Sequence, residues 1–394
     1  MDVNLFILAS IAFLYGIVAK KVESNIVSGP IVFVVLGLVL GPYGFNFIDI
    51  GGHDDLLSTF AELTLALVLF TDASSSNMKV LLGSAKIPGR LLLIGLPLTI
   101  VMGILVGMLL FPQFLFVEVA ILAIILAPTD AALGKAVVSN PKVPAKIRES
   151  LNVESGLNDG ICVPFLLLCM AIVSRPEAGI DVVNFFVQSI GIGVVVGLVI
   201  TYFGAFLFAK CLKLGWASES WAKVLVIALA FSIFGLSETL GGSGFIACFT
   251  GGILFGIIAK KERDQLLQAA EGIGDSFALA TWTLFGAIMI GSLYQDIELV
   301  HVLYAVLSLT IIRILPVMLS LIRTGVKTNG QLFISWFGPR GLASIVFVVM
   351  VADTGIPNEN EVTQVVVLTI LLSVIAHGLS ANPYAKWIGS HYKE

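Results

Sequence analysis

The chain has 394 residues, 58% of them hydrophobic and 12% charged, with a mean hydropathy of +1.02. A soluble domain carries about a quarter charged residues, so half that share over this length excludes a solvated globule. The net charge of −4 says nothing about partners, because where the charges sit matters more than their sum.

Apolar runs long enough to cross a bilayer recur from end to end. They are continuous rather than alternating, which predicts α-helices and not a barrel. The fold class expected is an all-α polytopic membrane protein with thirteen transmembrane spans. Their predicted limits are 4–19, 26–41, 56–72, 90–111, 114–138, 148–173, 182–208, 221–237, 244–259, 275–292, 298–322, 331–351 and 361–380. The first run begins at Leu5 with no basic region before it, so it reads as a spanning helix rather than a cleaved signal. No soluble domain is expected before or after the spans, and a short tail is expected over 381–394. Cys162, Cys169, Cys211 and Cys248 form no CxxC pair and no metal spacing with histidine; they read as small buried hydrophobes.

Basic residues test the span count. With the connections numbered in order, the odd ones and the C-terminal tail carry 19 of the 22 basic residues. Among them are Lys20, Lys79, Lys142, Lys210, Lys260, Arg323 and Lys386. The even connections carry Arg175 alone, and Arg313 and Arg340 lie deep within spans. A missed span would scramble this alternation, so the odd side reads as cytoplasmic. The C-terminus is then cytoplasmic and the N-terminus outside.

The chain also repeats itself. Ser28, Gly29, Gly37 and Gly41 of span 2 recur as Ser243, Gly244, Gly252 and Gly256 of span 9, all 215 residues on. Leu69-Phe70 recurs as Leu284-Phe285 at the same offset. Seven spans separate the equivalents, an odd number, so the halves are inverted. The expected division is repeat one over about 4–174, a linking helix over about 182–208 and repeat two over about 221–380. Inverted repeats are the architecture of secondary transporters, whose sites lie near the bilayer midplane.

Two spans should break. Span 5 carries Ala127-Pro128-Thr129-Asp130 and span 12 carries Phe337-Gly338-Pro339-Arg340-Gly341. Proline removes a donor and disfavours helix at the residue before it. The two prolines are 211 residues apart, in corresponding spans. Broken ends expose partial charges, positive at N-termini and negative at C-termini; Asp130 can offset the former and Arg340 the latter.

Span 6 reads Asn152-Val153-Glu154-Ser155-Gly156-Leu157-Asn158-Asp159-Gly160. At helical spacing Glu154 stacks on Asn158, and Ser155 on Asp159. Insertion scales charge about 3 kcal/mol for a central aspartate, so such acids are retained where they face a cavity and have partners. Asp130 and Asp159, with the Ser155 hydroxyl, the Thr129 carbonyl and water, could form a small hard-oxygen site. Such ligands suit an alkali cation or a proton rather than a transition metal. The same oxygens can hold either, and competition between the two at one alternating site makes an antiporter.

In Pro128-Thr129-Asp130, the Glu154-Ser155-x-x-Asn158-Asp159 string, Arg313-x-x-Pro316-Val317 and Arg340-Gly341, the chain resembles the NhaP-type sodium/proton antiporters of the monovalent cation:proton antiporter superfamily. Ser243-Gly244-Phe245, Gly252, Gly256 and His377-Gly378 also fit that pattern. The resemblance implies a homodimer in a prokaryotic-type cytoplasmic (inner) membrane, with a core bundle moving like an elevator against a dimerisation bundle. It implies Asp159 as the main cation and proton carrier, and Asp130, Thr129, Ser155 and Asn158 as the rest of the Na⁺ site. Asn158 stands where the electrogenic branch has a second aspartate, which implies one-for-one, electroneutral exchange of Na⁺ or Li⁺ for H⁺. Glu154 is implied to pair with Arg313 as a structural ion pair. No cofactor and no nucleic-acid partner is expected, and no enzymatic activity. The long regulatory tail of eukaryotic exchangers is not expected either.

Several residues read as bystanders. Asp72, at the cytoplasmic end of span 3, reads as an ordinary solvated interface acid, with a funnel or fourth-ligand role as the other reading, and Asp275 is expected to start span 10. Gly272-Ile273-Gly274-Asp275 matches the GxGD string of intramembrane aspartyl proteases, but that chemistry needs a second acid in a Tyr-Asp pair, and none occurs. Glu238 and Glu262 read as solvated. His53, His301, His377 and His391 show no metal spacing, with His53 and His301 placed near the membrane edge. The rival functions are a K⁺/H⁺ antiporter of the same fold, an organic-anion transporter and a cation channel.

Overall fold

A computed structural model describes residues 2–23, 28–47, 54–75, 86–138, 140–174, 180–216, 218–259, 263–294, 297–352 and 354–392. His53, Glu262, Arg175, Lys79 and Lys260 lie outside them. The described residues form helices joined by turns and short extended segments, without a strand, and sort into thirteen spans. Spans 1 to 3 are Asp2–Glu23, Gly29–Leu40 and Asp54–Ser75. Span 4 is Lys86–Leu110, and span 5 is the half-helices Phe116–Ile125 and Ala131–Val138. Spans 6 to 9 are Ala145–Ser174, Ile180–Lys213, Glu219–Thr239 and Gly244–Ile258. Span 10 is Arg263–Leu284 and runs on through a π turn, Phe285–Met289. Span 11 is Leu299–Leu309 and Ile311–Ser320, span 12 is Thr328–Trp336 and Leu342–Ala352, and span 13 is Glu359–His391. Among the described residues, six stretches, span 11 with its break included, are long and apolar enough to cross a membrane.

Three features differ from the sequence reading. Span 10 begins at Arg263 rather than near 275, because its first turns are polar and carry no hydropathy signal. Span 11 breaks at Thr310, where φ is −115° and ψ −95°, with neither glycine nor proline at the break to mark it. The residues from 381 to 391 continue span 13 as helix instead of forming a tail, burying Ala381, Ala385 and Ile388 against Val143, Ile147 and Phe333.

The spans sort into two bundles. Spans 2, 3, 7, 8, 9 and 10 pack on one another, and spans 4, 5, 6, 11, 12 and 13 form the other group. The repeated glycines explain the first bundle's closeness. A Cβ at Gly37 would strike the Thr283 carbonyl of span 10, and one at Gly252 would strike the Phe70 carbonyl of span 3. Each repeat thus uses the same glycine to bring two helix backbones together.

The connections also separate by parity. Arg90 donates to Ser320 O, Gly389 packs on Lys142 and Gly330 on Tyr392, so odd connections and the C-terminal turns meet at one end. At the other end Gln113 donates to Glu361 at 3.1 Å, and Asn358 donates through its backbone and side chain to Glu118 at 2.8 and 2.9 Å. His301, placed at the membrane edge by sequence, is buried there between Phe111 and Glu361. Glu238 is exposed but not merely solvated: it accepts from Gly244 N at 2.6 Å and caps span 9.

Candidate cation site

Spans 5 and 12 break where proline predicts, and the two extended segments cross. Asp130 N donates to Pro339 O at 2.8 Å, tying one break to the other. The Asp130 carboxylate then caps both second half-helices. Oδ1 accepts from Leu133 N at 3.1 Å in its own span, and Oδ2 accepts from Leu342 N at 2.7 Å in span 12. Two positive helix ends meet one negative charge. Gly341 lies so close that any Cβ there would strike that carboxylate.

The opposite ends are held by span 12. Arg340 Nη1 donates to Ala127 O at 2.6 Å and to Pro128 O at 3.0 Å. Ser344 Oγ donates to Ile125 O at 2.7 Å. These carbonyls end the first half-helix of span 5, where the partial charge is negative, and a guanidinium offsets it.

Span 6 lies against this crossing with its polar face inward. Ser155 Oγ donates to Thr129 O at 2.5 Å, and Asn158 Nδ2 donates to Thr129 Oγ1 at 2.7 Å. Both oxygens of Thr129 are therefore in use, including the carbonyl that the sequence reading offered to a cation. Asp159 stands beside them, 7% exposed. Its Oδ1, like Asn158 Oδ1, accepts no hydrogen bond from the described residues. A buried acceptor without a donor is costly, and a cation or a proton would satisfy it. Thr129, Asp130 and Ser155 also line a narrow crevice floored by Leu151, Phe337 and Pro339.

Beneath the site, Arg313 Nη2 approaches Glu154 Oε1 to 2.7 Å, both side chains 2% exposed or less. Arg313 presses on the backbone at Gly338, where a Cβ would meet its guanidinium. The eight residues singled out in sequence thus come together in one core. Asp72 is half-buried rather than solvated, as its second reading requires, and interacts electrostatically with Asp130 and Asp159, as well as with Glu271 and Asp275 of span 10. Asp275 is likewise not at a helix start but three turns inside one. Glu271 was missed because the polar opening of span 10 gave no reason to place it in the fold. Ser344 and Ser373 were missed because a lone serine in an apolar run carries no signal.

The sodium/hydrogen exchanger transmembrane family model matches residues 8–387. The chain belongs to the sodium/hydrogen exchanger family. Among its relatives is the K(+)/H(+) antiporter NhaP of Alkalimonas amylolytica, 26% identical over 98% of this chain and 67% of that protein. The Na(+)/H(+) antiporter of Schizosaccharomyces pombe is 25% identical over 90% of this chain and 83% of its own length. The K(+)/H(+) antiporter NhaP2 of Shewanella sp. (strain ANA-3) is 26% identical, and the chain spans 46% of it. The exchanger's fold matches the sodium proton antiporter MjNhaP1 of Methanocaldococcus jannaschii at pH 8, with a TM-score of 0.81 and 19% identity over 95% of this chain and 98% of that one.

Proposed function

We propose that the chain is a secondary antiporter that exchanges Na⁺ or Li⁺ for H⁺, one for one, at Asp159. The observation that carries this is the Asp159 carboxylate oxygen, buried and without a hydrogen-bond donor among the described residues, beside two interrupted helices. Interrupted helices in matching positions mark the substrate site of inverted-repeat transporters. Asp130 contributes charge and position: its carboxylate holds two helix ends, so it acts beside Asp159 as the fixed member of the pair. Asn158 Oδ1, also without a donor among the described residues, completes the oxygen shell with water, and Thr129, held by Ser155 and Asn158, braces it.

The one-for-one reading rests on Asn158, which stands where the electrogenic branch has a second aspartate. With Asp159 as the one carrier carboxylate, each passage takes one cation or one proton, and the exchange is electroneutral. The basic end of the molecule faces the cytoplasm, with the N-terminus outside. Alternating access follows from sliding of the bundle of spans 4–6 and 11–13 against the other bundle, which also makes the homodimer contact.

Potassium in place of sodium is the second reading, favoured by the K⁺/H⁺ names of the Alkalimonas and Shewanella relatives. In proteoliposomes with an imposed pH gradient, proton release on adding Na⁺, Li⁺ and K⁺ separately identifies the cargo. Asp159→Asn should abolish the response while the protein still inserts. Sodium movement at the wild-type rate in that variant would refute the site. A sodium current at clamped voltage with no proton coupling would make the protein a channel.

A further inference from the structure

The site leaves unexplained a buried histidine on span 13 and the serine one turn before it. Span 6 reads Ser155-x-x-x-Asp159-Gly160 and span 13 reads Ser373-x-x-x-His377-Gly378, the two strings 218 residues apart. They share their contacts as well as their spacing. Ser155 Oγ bonds the break of span 5 at Thr129 O. Ser373 Oγ bonds the break of span 12, accepting from Arg340 N at 2.7 Å. Thr129 and Arg340 are themselves 211 residues apart, the offset of the two prolines. Gly160 packs on Phe249 of span 9 and Gly378 on Ile31 of span 2, again 218 residues apart, and both contacts join one bundle to the other. His377 therefore holds in the second repeat the place that Asp159 holds in the first.

Its chemistry is different. His377 is 1% exposed, and its Nε2 lies 2.9 Å from Trp336 O, at the end of the first half-helix of span 12. A carbonyl only accepts, and one faces each ring nitrogen, Trp336 O at Nε2 and Ser373 O 3.0 Å from Nδ1, so the neutral ring gives its one proton to one of the two. The Ser373 hydroxyl, 3.1 Å from Nδ1, accepts from Arg340 N. One imidazole thus reaches both ends of the break, Trp336 at its entry and Arg340 at its exit. Arg340 passes the constraint to Ala127 O and Pro128 O, directly before Thr129 and Asp130.

We propose that His377, acting through Ser373 and Trp336, is a positioning residue for the cation site. It touches no cargo. It fixes the break of span 12, and through Arg340 the break of span 5, at the spacing that the oxygens around Asp159 require. This rests on the proposed site at Asp159, and the experiment separates the two ideas.

Purified wild type and variants are assayed for exchange against concentration of whichever of Na⁺ and K⁺ the wild type exchanges, and for thermal stabilisation by that cation. His377→Phe fills the space but cannot donate or accept, and Ser373→Ala removes only the hydroxyl. Each should raise the half-saturating cation concentration about fivefold or more, as for loss of one buried hydrogen bond, with the maximal rate near wild type. His377→Gln, whose amide can still donate to Trp336 O, should recover most of the affinity. A wild-type half-saturation in His377→Phe or Ser373→Ala overturns the proposal, as does a His377→Gln no better than His377→Phe. Should His377→Phe not fold, Ser373→Ala decides alone. Asp159→Asn is the control for the site itself: if the cation still stabilises that variant, the Asp159 reading fails, whatever the His377 variants do.

Discussion

The two aspartates at the crossing should respond in opposite ways to the same isosteric change. In Asp130→Asn, the amide can accept from only one of Leu133 N and Leu342 N, and its NH₂ faces the other N–H. Hydrogen bonds to a charged acceptor contribute about 1.5–3 kcal/mol each, and a buried donor left unsatisfied costs about 1–3 kcal/mol. Loss of the charge at two helix N-termini adds about 0.3–1 kcal/mol for each. Together these come to about 3–8 kcal/mol of lost stability. Asp159→Asn removes no hydrogen bond to Oδ1 from the described residues and relieves the repulsion with Asp130 and Asp72. Its stability should equal or exceed that of wild type. Thermal unfolding of detergent-purified protein, followed by loss of the monodisperse peak on size exclusion, measures both variants without reference to transport. Asp130→Asn should fall several degrees below wild type and Asp159→Asn should not. An Asp130→Asn protein as stable as wild type would show that its carboxylate does not hold the crossing together.

The Glu154–Arg313 pair should be asymmetric: losing one partner leaves a buried charge and costs about 3–5 kcal/mol. Glu154→Ala and Arg313→Ala should each melt well below wild type, while Glu154→Leu with Arg313→Met recovers much of the loss; additive damage in the double variant would refute pairing. Gly341→Ala drives a Cβ into the Asp130 carboxylate, an overpacking that costs about 1–3 kcal/mol, and should abolish exchange; wild-type exchange would mean that the crossing is loose. Asp72→Asn should raise the half-saturating cation concentration without abolishing exchange, since it acts on the site through its charge, and complete loss would instead make it a ligand.

Much of this was legible because the bilayer makes polar residues expensive. The thirteen spans follow from hydropathy and basic-residue parity, and the repeat shows in glycines that must sit where backbones touch. Asp130 and Arg340 can be assigned to helix ends from the sequence alone, because a proline break exposes charges of known sign. Other features have no such local cause. Span 10 starts in a polar stretch that its neighbours shelter, so Asp275 and Glu271 were misplaced or missed. Ser373 and His377 repeat Ser155 and Asp159 at an offset of 218, while the glycines repeat at 215 and the prolines at 211. Small insertions between spans shift the register, and a six-residue string with two identities is invisible until its contacts are seen.

The double hold of Asp130 has a kinetic meaning as well. Backbone bonds from two half-helices end on one carboxylate, and that residue's own N–H ends on the facing break. Neither crossing can shift without stretching the other's bonds. Under the sliding proposed above, an ion seated there would travel as a passenger in a closed compartment, with its oxygen shell intact from one face to the other. The resistance to that travel would come from the seam between the bundles, where Gly160 meets Phe249 and Gly378 meets Ile31. Changes along that seam should alter how often the compartment moves, and leave untouched how tightly it holds what it carries.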